Sequence, residues 1–275
     1  MSARTMTASN SCGPGSRKEG MTARYPGRDR AGHRPVARTG HHGAMTAPPA
    51  RERRVPPPPR VRRVALPAAA GPLEGTVPGT TPALRLAVVG ESTAAGHGAP
   101  THETSMAGHL AHELGRATGR AVSWRVHGCG GATARVVARD LVPALADPAW
   151  APTHVAVLIG VNDVQRTWRR GTFERDVLAL LGAVAHRCPD ARVVVSGLPD
   201  LRAIPALPRP IVPVLVAKAR WMGATTRAAA VATGATYVPV DTLPLPADLI
   251  SADGLHPSPA GYARWAAVLA PALIG

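Results

Sequence analysis

The chain has 275 residues, of which 45% are apolar but only 3% aromatic, so a sizeable core must be built mainly from Ala, Val and Leu. Its net charge of +15 raises the question of nucleic acid or an anionic surface as a partner. Three scattered cysteines argue against a disulfide framework, and no apolar stretch reaches the roughly 18 residues of a membrane span. Because no secretory signal is evident at the N-terminus, we expect a cytoplasmic protein, although secretion is not excluded.

The first segment, residues 1–80, is rich in Arg, Pro and Gly and carries most of the excess charge, with 14 Lys/Arg against 4 Asp/Glu. It shows neither a 2.0 nor a 3.6 residue period, and such a segment cannot bury enough apolar surface to offset its chain entropy. We therefore expect residues 1–80 to be disordered and residues 81–275 to form the globular domain. A basic tail of this kind can bind nucleic acid or an anionic surface, or it can be a solvated arm.

Strand and helix patterns alternate from residue 84 onward, which predicts an α/β fold with a parallel sheet and helices on both faces. Short apolar runs predict strands at 84–90, 122–126, 154–160, 192–197 and 236–240. Helical patterns lie at 104–118, 133–145, 173–187 and 211–233, and Ser258 with Pro259 predicts the start of a final helix to about residue 273. The expected architecture is a three-layer α/β/α sandwich around a mostly parallel sheet of about five strands.

Four polar motifs lie at boundaries of these elements, three of them directly after strands, where open parallel sheets bind ligands. Each motif alone is typical of an ordinary turn or helix cap, but all four in this order indicate a site. The motifs are Gly90-Glu91-Ser92, Gly130-Gly131-Ala132-Thr133, Gly160-Val161-Asn162-Asp163 and Asp253-Gly254-Leu255-His256.

Together these motifs resemble the SGNH (GDSL-type) hydrolase family, and the resemblance extends from about residue 84 to 275. It implies that Ser92 is the nucleophile, that Gly131 and Asn162 donate to the oxyanion, and that Asp253 and His256 complete a triad. It also implies a flavodoxin-like sheet and no cofactor. One position departs from the family pattern, because its first block usually has Asp before the serine and this chain has Glu91; in the second block, Gly130 remains an alternative to Gly131.

The chemistry of these residue types agrees with that resemblance. A serine hydroxyl such as that of Ser92 needs a base within hydrogen-bond reach, and a histidine, here His256, is the side chain best suited to that task near neutral pH. A carboxylate, here Asp253, must fix the tautomer of the imidazole. The backbone N–H groups of Ser92 and Gly131 and the side-chain amide of Asn162 would then receive the developing negative charge. We expect hydrolysis of a carboxylic ester through an acyl-enzyme, with acyl transfer to an alcohol on the same fold as an alternative.

The segment 198–210 contains four prolines and follows a predicted strand, so it should overhang the site. We predict that its Leu201 and Leu207 contact the substrate, a small-molecule ester. Trp168, Trp221 and Met222 are equally compatible with an acyl pocket and with the core. No convincing set of metal ligands assembles from His109, His112, His127 and Cys129, so we expect no metal. A protein that binds nucleic acid or an anionic surface through residues 1–80 is the alternative from another functional class, although no specific nucleic acid is expected.

Overall fold

A computed structural model of the chain describes residues 66–167 and 169–275. This part of the chain forms six strands and six α-helices. The strands are β1 (Glu74–Val77), β2 (Thr80–Gly90), β3 (Arg120–Gly128), β4 (His154–Leu158), β5 (Arg192–Ser196) and β6 (Thr236–Val238). The helices are α1 (Met106–Thr118), α2 (Ala134–Val136), α3 (Val161–Arg166), α4 (Arg170–Arg187), α5 (Val212–Thr233) and α6 (Pro259–Ile274).

The strands form one sheet in the order β1-β3-β2-β4-β5-β6. Strands β2 to β6 pair in parallel, and β1 pairs antiparallel with β3 at one edge. Among the parallel strands alone, this is the flavodoxin-like order, whose switch point lies between the first and third strands. In this protein these two strands are β2 and β4, so the topology places the expected ligand site beyond their carboxyl ends.

Helices cover both faces of the sheet, which confirms the predicted three-layer α/β/α sandwich. A hydrophobic core lies on each face of the sheet, because successive side chains of a strand point to opposite faces. Along β2, Leu86 and Val88 lie in the cluster with α1 and α6, whereas Ala87 and Val89 lie in the cluster with α4 and α5. Both clusters consist mainly of Ala, Val and Leu, as the low aromatic content requires.

Strand β1 was not predicted, since it falls within the segment 1–80 that we expected to be disordered. Residues 1–65 lie outside the described part of the chain, but residues 66–80 contain this strand. Its four residues are too few to show a period, and the strand forms through pairing with β3, where Glu74 also contacts Arg125 at 3.1 Å. Residues 74–77, which lie before the boundary expected at residue 80, are thus part of the sheet.

The predicted helix 133–145 is irregular. Only Ala134–Val136 is α-helical; a π-helical turn follows over Val137–Leu141 and a 3-10 turn over Val142–Leu145. Pro143 has no N–H to continue the α-helical ladder, which accounts for the change of winding near it.

Candidate active site

The four motifs predicted from the sequence lie together at the carboxyl end of the sheet. Ser92 follows β2, Gly131 follows β3 and Asn162 lies at the start of α3 after β4, so the switch point brings their loops side by side. The loop that carries His256 leads into α6. All four residues line one cavity of about 290 Å³.

Ser92, His256 and Asp253 form a continuous chain of hydrogen bonds. The Ser92 hydroxyl lies 2.9 Å from Nε2 of His256, and Nδ1 of the same ring lies 2.6 Å from Oδ2 of Asp253. Since the carboxylate can only accept, Nδ1 carries the proton and Nε2 is left to accept from the serine. This is the arrangement that a general base and its orienting carboxylate require.

The Asp253 carboxylate is held by more than the histidine. Its Oδ1 accepts hydrogen bonds from the Ser251 hydroxyl at 2.9 Å and from the backbone N–H groups of Leu255 and His256 at 2.9 and 3.0 Å. Burial acts to raise the pKa of Asp253, but these donors and the His256 ring together outweigh it and lower the pKa below its usual value. The carboxylate is therefore ionised at neutral pH, as its position beside an imidazole requires.

The proposed oxyanion donors line the same cavity as Ser92. Gly131 has φ +80°, a conformation that favours glycine, and its carbonyl accepts a hydrogen bond of 2.7 Å from Nη1 of Arg166. The Nδ2 group of Asn162 donates one hydrogen to Glu91. Because a carboxamide nitrogen carries two hydrogens, the second remains available for a substrate oxygen.

Glu91, the position that departs from the family pattern, supports the Asn162 loop. Its carboxylate accepts from the backbone N–H groups of Val161 and Asn162, each at 3.1 Å, in addition to the Asn162 side chain. Only 2% of Glu91 is exposed. Burial raises its pKa to about 7, because these hydrogen bonds only partly offset the cost of a buried charge.

Asp163, the last residue of the third motif, connects that motif to the second. Its buried side chain accepts a 3.0 Å hydrogen bond from the backbone N–H of Ala134, the first residue of α2. Burial raises the pKa of Asp163 to about 6. The contact ties the loop of Asn162 to the loop of Gly131, so both proposed oxyanion donors belong to one hydrogen-bonded unit.

His97 also lines the cavity and was not among the residues predicted from the sequence. Its ring centroid lies 5.1 Å from that of His256. Gly98 has φ +93° and lies so close to Pro257 that a Cβ there would meet the Pro257 carbonyl oxygen at 2.2 Å. The signal in the sequence was a histidine between two glycines, five residues after the proposed nucleophile, which carries no known spacing for catalysis.

Apolar side chains form much of the remaining lining of the cavity. Leu201 and Leu207, both predicted to contact substrate, line it and are 2% and 8% exposed. A second set of lining residues comes from the segment before α6, which the sequence had not indicated; it comprises Leu243, Leu245, Leu249, Ile250 and Leu255. The cavity is therefore lined both by the polar residues around Ser92 and by a larger set of aliphatic side chains, called the apolar wall below.

Three other expectations from the sequence concern features outside the cavity. Met222 is fully buried in the core, and the partly buried Trp221 packs against that core, edge-on to Phe173 with ring centroids 5.9 Å apart. Trp168 lies outside the described residues. Within residues 66–167 and 169–275, no three His, Cys, Asp or Glu side chains are grouped so as to hold a metal ion. Over the same residues, no helix combines the length and apolarity needed to cross a bilayer.

Comparison with known proteins identifies the relatives of this chain. The model of the GDSL-like Lipase/Acylhydrolase family matches residues 88–264, a span that includes all four motifs. A GDSL-like esterase of Mycobacterium tuberculosis is 29% identical in an alignment of 205 positions that covers 69% of this chain and 62% of that protein. The chain thus spans less than two thirds of the length of this curated relative.

Solved structures show the same fold at low sequence identity. TesA aligns with a TM-score of 0.54 and 20% identity, over 69% of this chain and 97% of that one. A family 3 carbohydrate esterase of Clostridium thermocellum aligns with a TM-score of 0.51 and 17% identity, over 68% and 92% of the two chains. These similarities concern the fold, whereas the family model covers well over half of the sequence. The chain therefore belongs to the GDSL-like lipase/acylhydrolase family.

Proposed function

We propose that this protein hydrolyses a carboxylic ester, with Ser92 as nucleophile, His256 as general base and Asp253 as the carboxylate that orients the base. The observation that carries the proposal is the chain of hydrogen bonds of 2.9 and 2.6 Å from the Ser92 hydroxyl through His256 to Asp253. Membership of the GDSL-like lipase/acylhydrolase family supports the same reaction class.

The reaction proceeds in two halves. The Ser92 oxygen attacks the ester carbonyl while its proton passes to Nε2 of His256, and negative charge develops on the carbonyl oxygen. The backbone N–H groups of Ser92 and Gly131 and the free Nδ2 hydrogen of Asn162 receive that charge. His256 then gives its proton to the departing alkoxide, which leaves the acyl group on Ser92. Water attacks the acyl-enzyme with His256 again as base, and the carboxylic acid is released.

The acyl part of the substrate is best accommodated by the apolar wall. At about 290 Å³ the cavity is at the lower end of the range for small-molecule sites, roughly 300 to 1,000 Å³. Its wall is formed by aliphatic side chains such as Leu201, Ile204 and Leu207, which offer burial to an alkyl chain and no hydrogen bonds to a polar one. We therefore expect short to medium acyl chains to be preferred over long ones.

The test is hydrolysis of p-nitrophenyl acetate, butyrate, octanoate and palmitate by the wild-type protein beside Ser92→Ala. We expect wild-type turnover to peak at butyrate or octanoate and the variant to lose at least about a thousandfold in kcat. An active Ser92→Ala protein, or an inert wild type, would contradict the proposed nucleophile.

The same ester series tests the acyl wall with a matched pair of substitutions. Leu207→Trp fills part of the cavity and should move the preferred ester toward acetate, because the alkyl chain loses its space. Leu178→Trp makes the same exchange at a helix position that is 45% exposed, and it should leave the preference unchanged. If Leu207→Trp has the same acyl-chain preference as wild type, the acyl chain does not bind against Leu207.

A further inference from the structure

The imidazole of His97 is fixed in one orientation beside the reacting groups. The His97 backbone N–H donates to the Ser92 carbonyl at 3.0 Å, and the His97 carbonyl accepts from the buried Tyr262 hydroxyl at 2.7 Å. Its ring nitrogen Nδ1 lies 3.0 Å from the carbonyl oxygen of Leu66. A carbonyl can only accept, so Nδ1 carries the proton of the neutral ring.

The other ring nitrogen of His97, Nε2, is consequently a hydrogen-bond acceptor. It has no hydrogen-bond partner among the described residues, and it is not sealed from the cavity that His97 lines. It lies over Gly130, where a Cβ would come within 2.9 Å of it. Burial and the neighbouring charge of His256 lower the pKa of His97, so the ring stays neutral and Nε2 keeps its lone pair at neutral pH.

The position of His97 places this free acceptor near the alcohol portion of a bound ester. The leaving oxygen of an ester must lie within hydrogen-bond reach of Nε2 of His256, because that nitrogen returns the proton to it. Under the proposed function the acyl chain packs on the aliphatic lining, which leaves the polar lining residues, among them Thr93, His97 and Gly130, for the alcohol portion. The ring centroid of His97 lies 5.1 Å from that of His256, the residue that returns the proton to the leaving oxygen.

We propose that Nε2 of His97 accepts a hydrogen bond from a hydroxyl group on the alcohol portion of the substrate, so that the preferred substrates are monoesters of polyhydroxy alcohols. The inference rests on the proposed ester hydrolysis and adds the identity of the alcohol. A fixed acceptor favours a substrate that bears the matching hydroxyl over an analogue that lacks it, because the analogue leaves the polar group unpaired. His97 is thus a specificity-determining residue, not a member of the triad.

The test compares two octanoate esters that have the same acyl chain and the same three-carbon alcohol skeleton. These are propyl octanoate and 1-monooctanoylglycerol, which differ only in the two hydroxyl groups. Three variants separate the functions of the ring: His97→Asn keeps a donor in the position of Nδ1 but loses the acceptor, His97→Gln keeps an acceptor in the position of Nε2, and His97→Phe keeps only the ring shape.

We expect His97→Asn and His97→Phe to lower kcat/KM for the glycerol ester by about five- to tenfold, the effect of one neutral hydrogen bond, and to change the propyl ester by less than about twofold. His97→Gln should recover part of the preference. Comparison of each variant with wild type for each ester cancels the difference in intrinsic reactivity between the two alcohols.

Equal losses on both esters in every variant would overturn the inference and leave a packing role for His97. A wild-type protein that hydrolyses neither these esters nor p-nitrophenyl octanoate would overturn the proposed function instead. A third substrate, methyl 6-O-octanoyl glucoside, distinguishes the source of the hydroxyl. Glucoside turnover that depends on His97 more strongly than glycerol ester turnover would assign the acceptor to a sugar, and the reverse would assign it to glycerol.

Discussion

Two carboxylates support the two halves of the candidate site, and they differ in their state of ionisation. Asp253 accepts hydrogen bonds from the proposed base His256 and from its own loop, and its pKa is lowered. Glu91 accepts hydrogen bonds from the proposed oxyanion donor Asn162 and from the start of α3, yet its pKa is raised to about 7. Both residues have several donors, so the number of hydrogen bonds alone does not decide the protonation state.

The difference lies in burial. The Asp253 side chain is 7% exposed and lies beside a histidine that is 14% exposed at the mouth of the cavity, so it keeps some contact with water. Glu91 is 2% exposed and has only neutral donors within hydrogen-bond reach. The nearby charge of Asp163 raises the pKa of Glu91 further. The proposed base His256 is therefore held by a permanent charge, whereas the Asn162 amide is held by Glu91, whose pKa lies near neutral pH.

The largest effect is expected for Asp253→Asn. The new amide would present an N–H to Nδ1 of His256, which favours the tautomer that cannot accept the Ser92 proton, and kcat should fall by roughly a thousand- to ten-thousandfold. Asp190→Asn makes the same exchange at an exposed loop position and should leave kcat unchanged. If steady-state kinetics with p-nitrophenyl butyrate show similar rates for the two variants, Asp253 does not orient the base.

A smaller effect is expected for Glu91→Gln, because it acts through Asn162. Gln has one acceptor oxygen where Glu91 uses two, so the Asn162 amide loses its fixed direction while Ser92 and Gly131 still donate. Removal of one oxyanion donor costs roughly a hundred- to a thousandfold, and we expect partial misplacement to lower kcat about 10- to 100-fold with little change in KM.

Two further substitutions test whether the loss in Glu91→Gln is due to the position and reach of the Glu91 carboxylate. Glu91→Asp restores the residue usual in the family and should lie between wild type and Glu91→Gln, since its carboxylate is one methylene short of the α3 backbone. Glu103→Gln, at an exposed position, is the matched control and should be neutral. A rise in KM with unchanged kcat in Glu91→Gln would mean that the residue supports substrate binding and not the oxyanion.

The sequence predicted the polar side of the site well because its residues sit at strand ends. The parallel strands are visible in the sequence as short apolar runs, and the flavodoxin-like order that the family resemblance implies brings the residues after β2 and β4 together. Ser92 and Asn162 could therefore be predicted to meet, whereas the place of His256, in the loop before α6, was implied by the resemblance alone.

The remaining features depend on contacts between segments distant in the chain. β1 forms only through its pairing with β3, and the orientation of His97 depends on the carbonyl of Leu66, 31 residues earlier. The partnership of Glu91 with the start of α3 spans about 70 residues. No local period or turn signal encodes such pairings, which is why the sequence showed Glu91 only as a departure from a pattern.

The last prediction concerns the pH dependence of stability. The pKa of Glu91 rises from its usual 4.5 to about 7 on folding, so the Glu91 carboxylate binds a proton more tightly in the folded protein than in the unfolded chain. The resulting stabilisation is complete below pH 4.5 and is lost as the pH rises through about 7. Gln cannot titrate, so the free energy of unfolding of wild type relative to Glu91→Gln should fall by up to about 3 kcal/mol between pH 5 and pH 8.

Urea denaturation of both proteins at several pH values between 5 and 8 measures this difference, and Asp253→Asn provides the opposite case. The pKa of Asp253 is lowered on folding, so its stabilisation is already complete above its unfolded value of 3.8 and should be constant over the same range. A flat difference for Glu91→Gln as well would mean that Glu91 is ionised throughout, like Asp253. The pKa of Glu91 would then not be raised on folding, and both carboxylates would be permanent charges above pH 5.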